Sequence, residues 1–196
     1  MASVDHTQEA PLKSEGPPPE YKTGTGLLAD VVLRVLLFAT GLVAVIIMVT
    51  SKQTKLIPFA PGFLISRDAK FNYSPAFIYF VAALSVATLY SIITGVLSVF
   101  ALISSGGVST KMQFHFVMFD ALLLGVVAAA TGASGGVGYI GLKGNSHTGW
   151  TKICDRYHTY CVHFGVSIFL SLVSSIVLLL LVWLSVYTLS KKIARR

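Results

Sequence analysis

Four long apolar runs, about Leu28–Thr50, Ala76–Ile103, Phe114–Ala133 and Val162–Leu189, constrain this chain more than any other feature. They hold 99 of its 196 residues, and of all its Lys, Arg, Asp and Glu side chains only Asp30, Arg34 and Asp120 fall inside them. A helix rises about 1.5 Å per residue, so crossing about 30 Å of hydrocarbon takes about 20 residues. Each run reaches that length, and the two 28-residue runs require tilt or extension into the headgroups. A helix buried in a soluble core would be shorter and would carry a polar face. The pattern predicts an all-α membrane protein built as a four-helix transmembrane bundle.

Composition agrees. The chain is 54% hydrophobic and 12% charged, about half the charge of an ordinary soluble domain. Residues 1–27 are polar and rich in proline (Pro11, Pro17, Pro18, Pro19), which predicts a disordered tail. No basic segment leads directly into a short apolar stretch, so the tail does not read as a signal peptide, and the first span is expected to act as its own retained insertion signal. Residues 190–196 form a short basic tail.

Four spans place both termini on one side. The Lys/Arg bias that normally tells which side is evenly split. The tails and the 104–113 loop hold seven basic residues, and the loops around 51–75 and 134–161 hold seven. Two other features break the tie. Lys191, Lys192, Arg195 and Arg196 cluster at a membrane exit, where anionic cytosolic lipid attracts them. The cysteines, Cys154 and Cys161, share one loop, which suggests an oxidising face. Both features point to cytosolic termini and outer first and third loops. The net charge of +7 is then scattered over two sides of a membrane, so no continuous basic stripe forms and nucleic acid is not an expected partner.

A charge inside a membrane is costly, so each one needs a reason. Arg34 lies six residues into the first span and Asp120 six residues into the third. With parallel spans both sit about 9 Å deep at 1.5 Å per residue, where they can neutralise each other as a structural ion pair. Two other arrangements stay open on sequence alone. Asp30 precedes Arg34 at the i,i+4 spacing that pairs within one helix, and Arg34 can snorkel to the headgroups. In the remaining reading, Asp120 titrates as part of a proton or ion path.

The third loop contains GLKGNSHTGWTKICDRYHTYC (141–161). Cys154 and Cys161 can close a disulfide, stay free, or join His158 and His147 in a zinc site, although C-x₃-H-x₂-C is not a usual finger spacing. Asn72-Tyr73-Ser74 is a glycosylation sequon close to the second span and followed by Pro75. His115 and His163 near span ends read as interfacial or buried polar contacts. Small-x-x-x-small pairs, Ser91/Gly95, Ala128/Gly132 and Ser167/Ser171, suit close helix approach. Gly132–Gly138 (GASGGVG) reads as a helix end with a flexible exit, not as a phosphate loop, since no Lys-Ser/Thr follows it. No catalytic triad, carboxylate pair or cofactor motif stands out, and no cofactor or resident metal is expected. A non-enzymatic protein is the better reading.

Taken together, four spans, Arg34, Asp120 and the stretch Trp150–Cys161 (WTKICDRYHTYC) resemble the plant Casparian strip membrane protein-like family, a relative of the MARVEL-type tetraspan proteins. The resemblance covers about residues 25–190. The 51–75 loop does not match the stretch of the founding Casparian strip members, so the likeness is to the broader group. It implies a plasma-membrane scaffold that forms homo- and hetero-oligomers within membrane domains and brings in wall-modifying enzymes such as peroxidases. It also implies that Arg34 and Asp120 match the family's intramembrane pair, and Cys154 and Cys161 its loop cysteines. Claudins and tetraspanins fit less well, because their cysteine motifs fall elsewhere.

Overall fold

The computed structural model describes residues 21–60, 63–103 and 110–194. In chain order they form α1 (Tyr21–Thr50), β1 (Lys52–Ala60), β2 (Phe63–Lys70), a single 3₁₀ turn (Phe71–Tyr73), α2 (Pro75–Ile103), α3 (Thr110–Lys143) and α4 (His158–Ala194). All four helices are long and apolar enough to cross a membrane. The helices pack in a ring, with α1 and α3 each lying between α2 and α4.

The helices outrun the apolar runs. At about 1.5 Å per residue the 37 residues of α4 extend well past a hydrocarbon core of about 30 Å. Helical structure therefore includes Tyr21–Leu27, part of the segment expected to be disordered, and Ser190–Ala194 of the basic tail. The rest of the expected tail, residues 1–20, lies outside the described residues, as do 104–109 and 195–196.

The expected break at Gly132–Gly138 does not occur: α3 runs unbroken to Lys143. A glycine in a helix costs about 1 kcal/mol relative to alanine. Opening the helix in hydrocarbon would strand backbone groups at several kcal/mol each. The cost of stranded backbone exceeds the cost of the glycines, so the helix continues, and one of them, Gly138, serves packing. A Cβ on Gly138 would collide with the Phe164 ring of α4. The helix ends at Gly144, whose φ of +71° needs no Cβ and whose N–H donates to the Ile140 carbonyl at 2.7 Å. At the start of α2, Pro75 occupies the first helical position, where its missing N–H is harmless. The Ser74 carbonyl there accepts from the N–H groups of Phe77 and Ile78.

The first loop departs from a purely helical fold. β1 and β2 form an antiparallel hairpin with Lys52 opposite Lys70, Thr54 opposite Asp68 and Lys55 opposite Arg67. Tyr157 donates its hydroxyl to the Arg67 carbonyl at 3.0 Å, and the Tyr160 N–H donates to Gln53 Oε1 at 3.2 Å. The hairpin is thereby clamped over the third loop at one end of the bundle.

The interior is apolar along its length, with Leu37, Ala44, Met48, Phe80, Leu84, Val127, Leu178 and Leu181 fully buried. Hydroxyls stitch this core together. Thr40 and Ser174 lie 2.8 Å apart, and Thr131 and Ser171 lie 2.5 Å apart. Ser167 donates to the Ala44 carbonyl at 2.7 Å, and Ser134 donates to the Ala76 carbonyl at 3.0 Å. Each of these four contacts joins two helices, so Ser134, Ser167, Ser171 and Ser174 link neighbouring spans.

Gly138→Ala forces Phe164 aside, and overpacking of this kind costs about 1–3 kcal/mol. It is expected to lower the melting temperature of the purified protein in lipid nanodiscs. Gly132→Ala, with nothing within 4 Å of the added Cβ, is expected to leave the melting temperature unchanged or raise it.

Candidate functional site

The charged residues of the apolar runs converge on one point. Arg34 reaches across the bundle from α1 to the opposite helix, α3, where its Nη2 lies 3.2 Å from Oδ2 of Asp120. Its Nε donates to Oδ2 of Asp30 at 3.0 Å, one turn back on α1. Its Nη1 donates to Thr94 Oγ1 of α2 at 2.7 Å. The interhelical and the local pairings, alternatives on sequence grounds, therefore coexist on one guanidinium. Its planar fork of donors allows this, which an ammonium could not match.

The surroundings complete the centre. The Ser98 hydroxyl donates to Asp30 Oδ2 at 2.6 Å. The rings of Phe116 and Tyr90 lie with centroids 5.6 Å and 6.0 Å from the guanidinium carbon. Arg34 is 1% exposed and Asp120 0%, whereas Asp30 keeps 17% side-chain exposure. Arg34 therefore does not snorkel. A Cβ on Gly95 would come to 3.8 Å from the Arg34 Cβ, an ordinary contact, so the Ser91/Gly95 face of α2 lies against α1 beside the Arg34 stem.

Of the other small pairs, Ser167/Ser171 faces the interior, while Ala128/Gly132 faces outward. The sequence alone did not single out Thr94, Ser98, Tyr90 and Phe116 as members of this centre. Thr94 and Ser98 do stand one turn apart on α2 and form a polar stripe in an otherwise apolar run. His115 is exposed, its Nδ1 2.8 Å from the Lys111 carbonyl, and His163 is exposed as well. Neither contributes to the core.

At the hairpin end, Cys154 and Cys161 are joined in a disulfide, with Cα atoms 5.7 Å apart. Their sulfurs are spent on each other, which replaces the free-thiol and zinc arrangements. The bond ties the third loop to the first turn of α4. Asn72 is exposed within the 3₁₀ turn. Nearby, the Lys70 ammonium lies 2.8 Å from the Asp68 carboxylate. Hydrogen bonds from Lys70 and Thr54 hold the Asp68 carboxyl below its ordinary range, and the hydrogen bond to Asp68 raises Lys70 above its own. Asp68 thus loses its contribution only in acid and Lys70 only in strong base, so the pair persists through neutral pH.

These features define a four-span membrane bundle locked by one buried charge centre and capped at one end by a hairpin and a disulfide loop. The Casparian strip membrane protein domain matches residues 23–177. Over 190 residues the chain is 49% identical to CASP-like protein IN26 of Ipomoea nil, covering 94% of this chain and 97% of that one. It is 55% identical over 167 residues to CASP-like protein 1D1 of Vitis vinifera, covering 85% and 80%. It is 59% identical over 149 residues to CASP-like protein 1 of Panax ginseng, covering 76% and 100%. The chain belongs to this family of plant CASP-like membrane proteins. No solved structure matches it.

Asp120→Asn leaves Arg34 buried beside a neutral amide, and breaking a buried pair costs about 3–5 kcal/mol. Asp30→Asn, at a partly exposed carboxylate, is expected to cost about 1 kcal/mol. Thermal unfolding in nanodiscs should rank wild type, D30N and D120N in that order. Removing the disulfide as C154S/C161S reopens a short loop and is expected to cost about 2–3 kcal/mol by the loop-entropy relation.

Proposed function

We propose that this protein is a non-enzymatic scaffold of the plasma membrane, which self-associates with copies of itself and with related four-span proteins and presents its hairpin end to the outside. In this reading the termini are cytosolic, and the hairpin and disulfide loop face the cell wall, where they recruit wall-modifying proteins. Family membership supports the reading, and one structural observation carries it. The polar groups of the bundle interior named above are committed to bonds between helices, which makes the bundle a rigid body with its variety on the outside. On that outside, Gly125, Ala128, Ala129, Gly132 and Gly136 of α3 form an exposed small-residue strip along which another helix can approach closely.

A transport role centred on Asp120 is less well supported. Both of its carboxylate oxygens face Arg34, and the pair is packed under Tyr90 and Phe116. A titrating carrier group needs an exchangeable partner and a polar approach.

Two measurements test the scaffold. In plant cells the tagged protein should diffuse slowly in discrete membrane domains, with oligomers recovered after mild crosslinking. Gly132→Ile, which touches nothing inside the bundle, should speed diffusion and shift the crosslinked population toward monomer without lowering the melting temperature. Rapid monomeric diffusion of the wild type would overturn the proposal.

A further inference from the structure

A cleft of about 570 Å³ opens at the hairpin end, between β2, the end of α3 and the disulfide loop. It falls within the range of about 300–1,000 Å³ typical of small-molecule sites. Its floor is aromatic, with Phe77, Tyr157, Tyr160 and Phe164 all lining it and all buried. Phe77 and Phe164 pack with ring centroids 4.8 Å apart. The α3 wall is Val137 with two glycines, Gly138 and Gly141. Gly138 lies flush against Phe164, while a Cβ on Gly141 would meet nothing within 4 Å. Gly141 follows the buried Ser134 by two helical turns, on the same face of α3. The open space beside it is therefore the cleft itself.

The rim is cationic. Arg67 and Lys70 line it together with Asp68, but Asp68 is committed to Lys70. Arg67 has no carboxylate within ion-pair distance among the described residues. Lys55 lies directly opposite Arg67 in the hairpin, and like charges facing each other across a strand pair are destabilising. The loops of this end add Lys52, Lys143, Lys152 and Arg156, against Asp68 and Asp155 as their only acids. An arginine with no carboxylate partner thus belongs to the wall of an aromatic cavity, with a second cation opposite it in the hairpin.

We propose that this cleft binds an amphipathic anion, an apolar body seated on the aromatic floor with a single carboxylate or phosphate held by Arg67. The Lys55/Arg67 juxtaposition is relieved when the acid group arrives, so ligand binding also firms the hairpin. A free organic acid and the acid group of an anionic lipid share this chemistry.

The test uses the full chain in phosphatidylcholine nanodiscs and a diazirine-bearing analogue of dodecanoate, with labelled peptides mapped by mass spectrometry. Labelling should concentrate on residues 71–77, 137–141 and 153–164. The corresponding alcohol should not compete. Competition by 3-phenylpropanoate identifies a free acid as the better occupant, and competition by added phosphatidylglycerol identifies the lipid. Losing a charge-assisted hydrogen bond in Arg67→Gln should cut cleft labelling at least about ten-fold, while Arg67→Lys should retain most of it. Gly141→Leu should abolish it by filling the space. Both positions lie away from the buried charge centre, and melting temperatures close to wild type verify that each variant is folded. Labelling spread evenly over lipid-facing helices, equal competition by the alcohol, or wild-type labelling in both R67Q and G141L would overturn the proposal.

Discussion

Hydrocarbon offers no hydrogen-bond partner, so every polar group carried into this bundle has to be answered from within it. Arg34 is the extreme case. A guanidinium held 1% exposed is tolerable only because three helices send groups to meet it, Asp30 from α1 itself, Thr94 from α2 and Asp120 from α3. Each group fixes the rotation of its helix, since turning any span by one residue would carry its group about 100° away. Apolar packing can be satisfied by many rotations of a greasy cylinder. The charge centre is satisfied by very few.

The same rule explains features that look unrelated. The glycine-rich stretch of α3 stays helical because exposed backbone would cost more than the glycines do. Several buried serines and threonines bond across helix pairs, where hydrocarbon leaves no water to compete, while Thr88 and Ser91 bond back to carbonyls of their own helix. Irregular structure is confined to the ends. There the chain forms a hairpin and a disulfide loop, and a phenol from one anchors the backbone of the other.

Much of this was legible in the sequence, because the membrane simplifies the problem. Length and hydropathy alone yield four spans, and matched depth within parallel spans makes Arg34 and Asp120 a candidate pair, with the local and snorkelling arrangements still open on sequence alone. On sequence grounds Asp30 stood as a rival of Asp120, whereas one guanidinium has enough donors for both. The helices run past the apolar runs because charged and glycine residues outside the hydrocarbon can still continue a helix, which hydropathy alone does not mark. The hairpin is not legible in the sequence for a different reason. Its two strands flank Pro61-Gly62, a legitimate turn signal, but Lys and Pro58 within β1 mask the usual alternation of a strand. The cleft could not be read at all, since it depends on two glycines and four aromatic rings from distant parts of the chain.

The central claim is that Arg34 and Asp120 act as one unit, and a double-mutant cycle tests it directly. Thermal unfolding in nanodiscs is compared for wild type, Arg34→Met, Asp120→Leu and the double variant. Arg34→Met strands Asp120 and Asp30 together, and Asp120→Leu leaves Arg34 with Asp30 alone. The double variant instead removes the interhelical pair, refills the space with apolar groups and leaves only the partly exposed Asp30 with its Ser98 hydrogen bond. The double variant should therefore be more stable than at least one single variant, with a coupling energy of about 1–3 kcal/mol. Losses that simply add, leaving the double variant the least stable of the four, would contradict the claim.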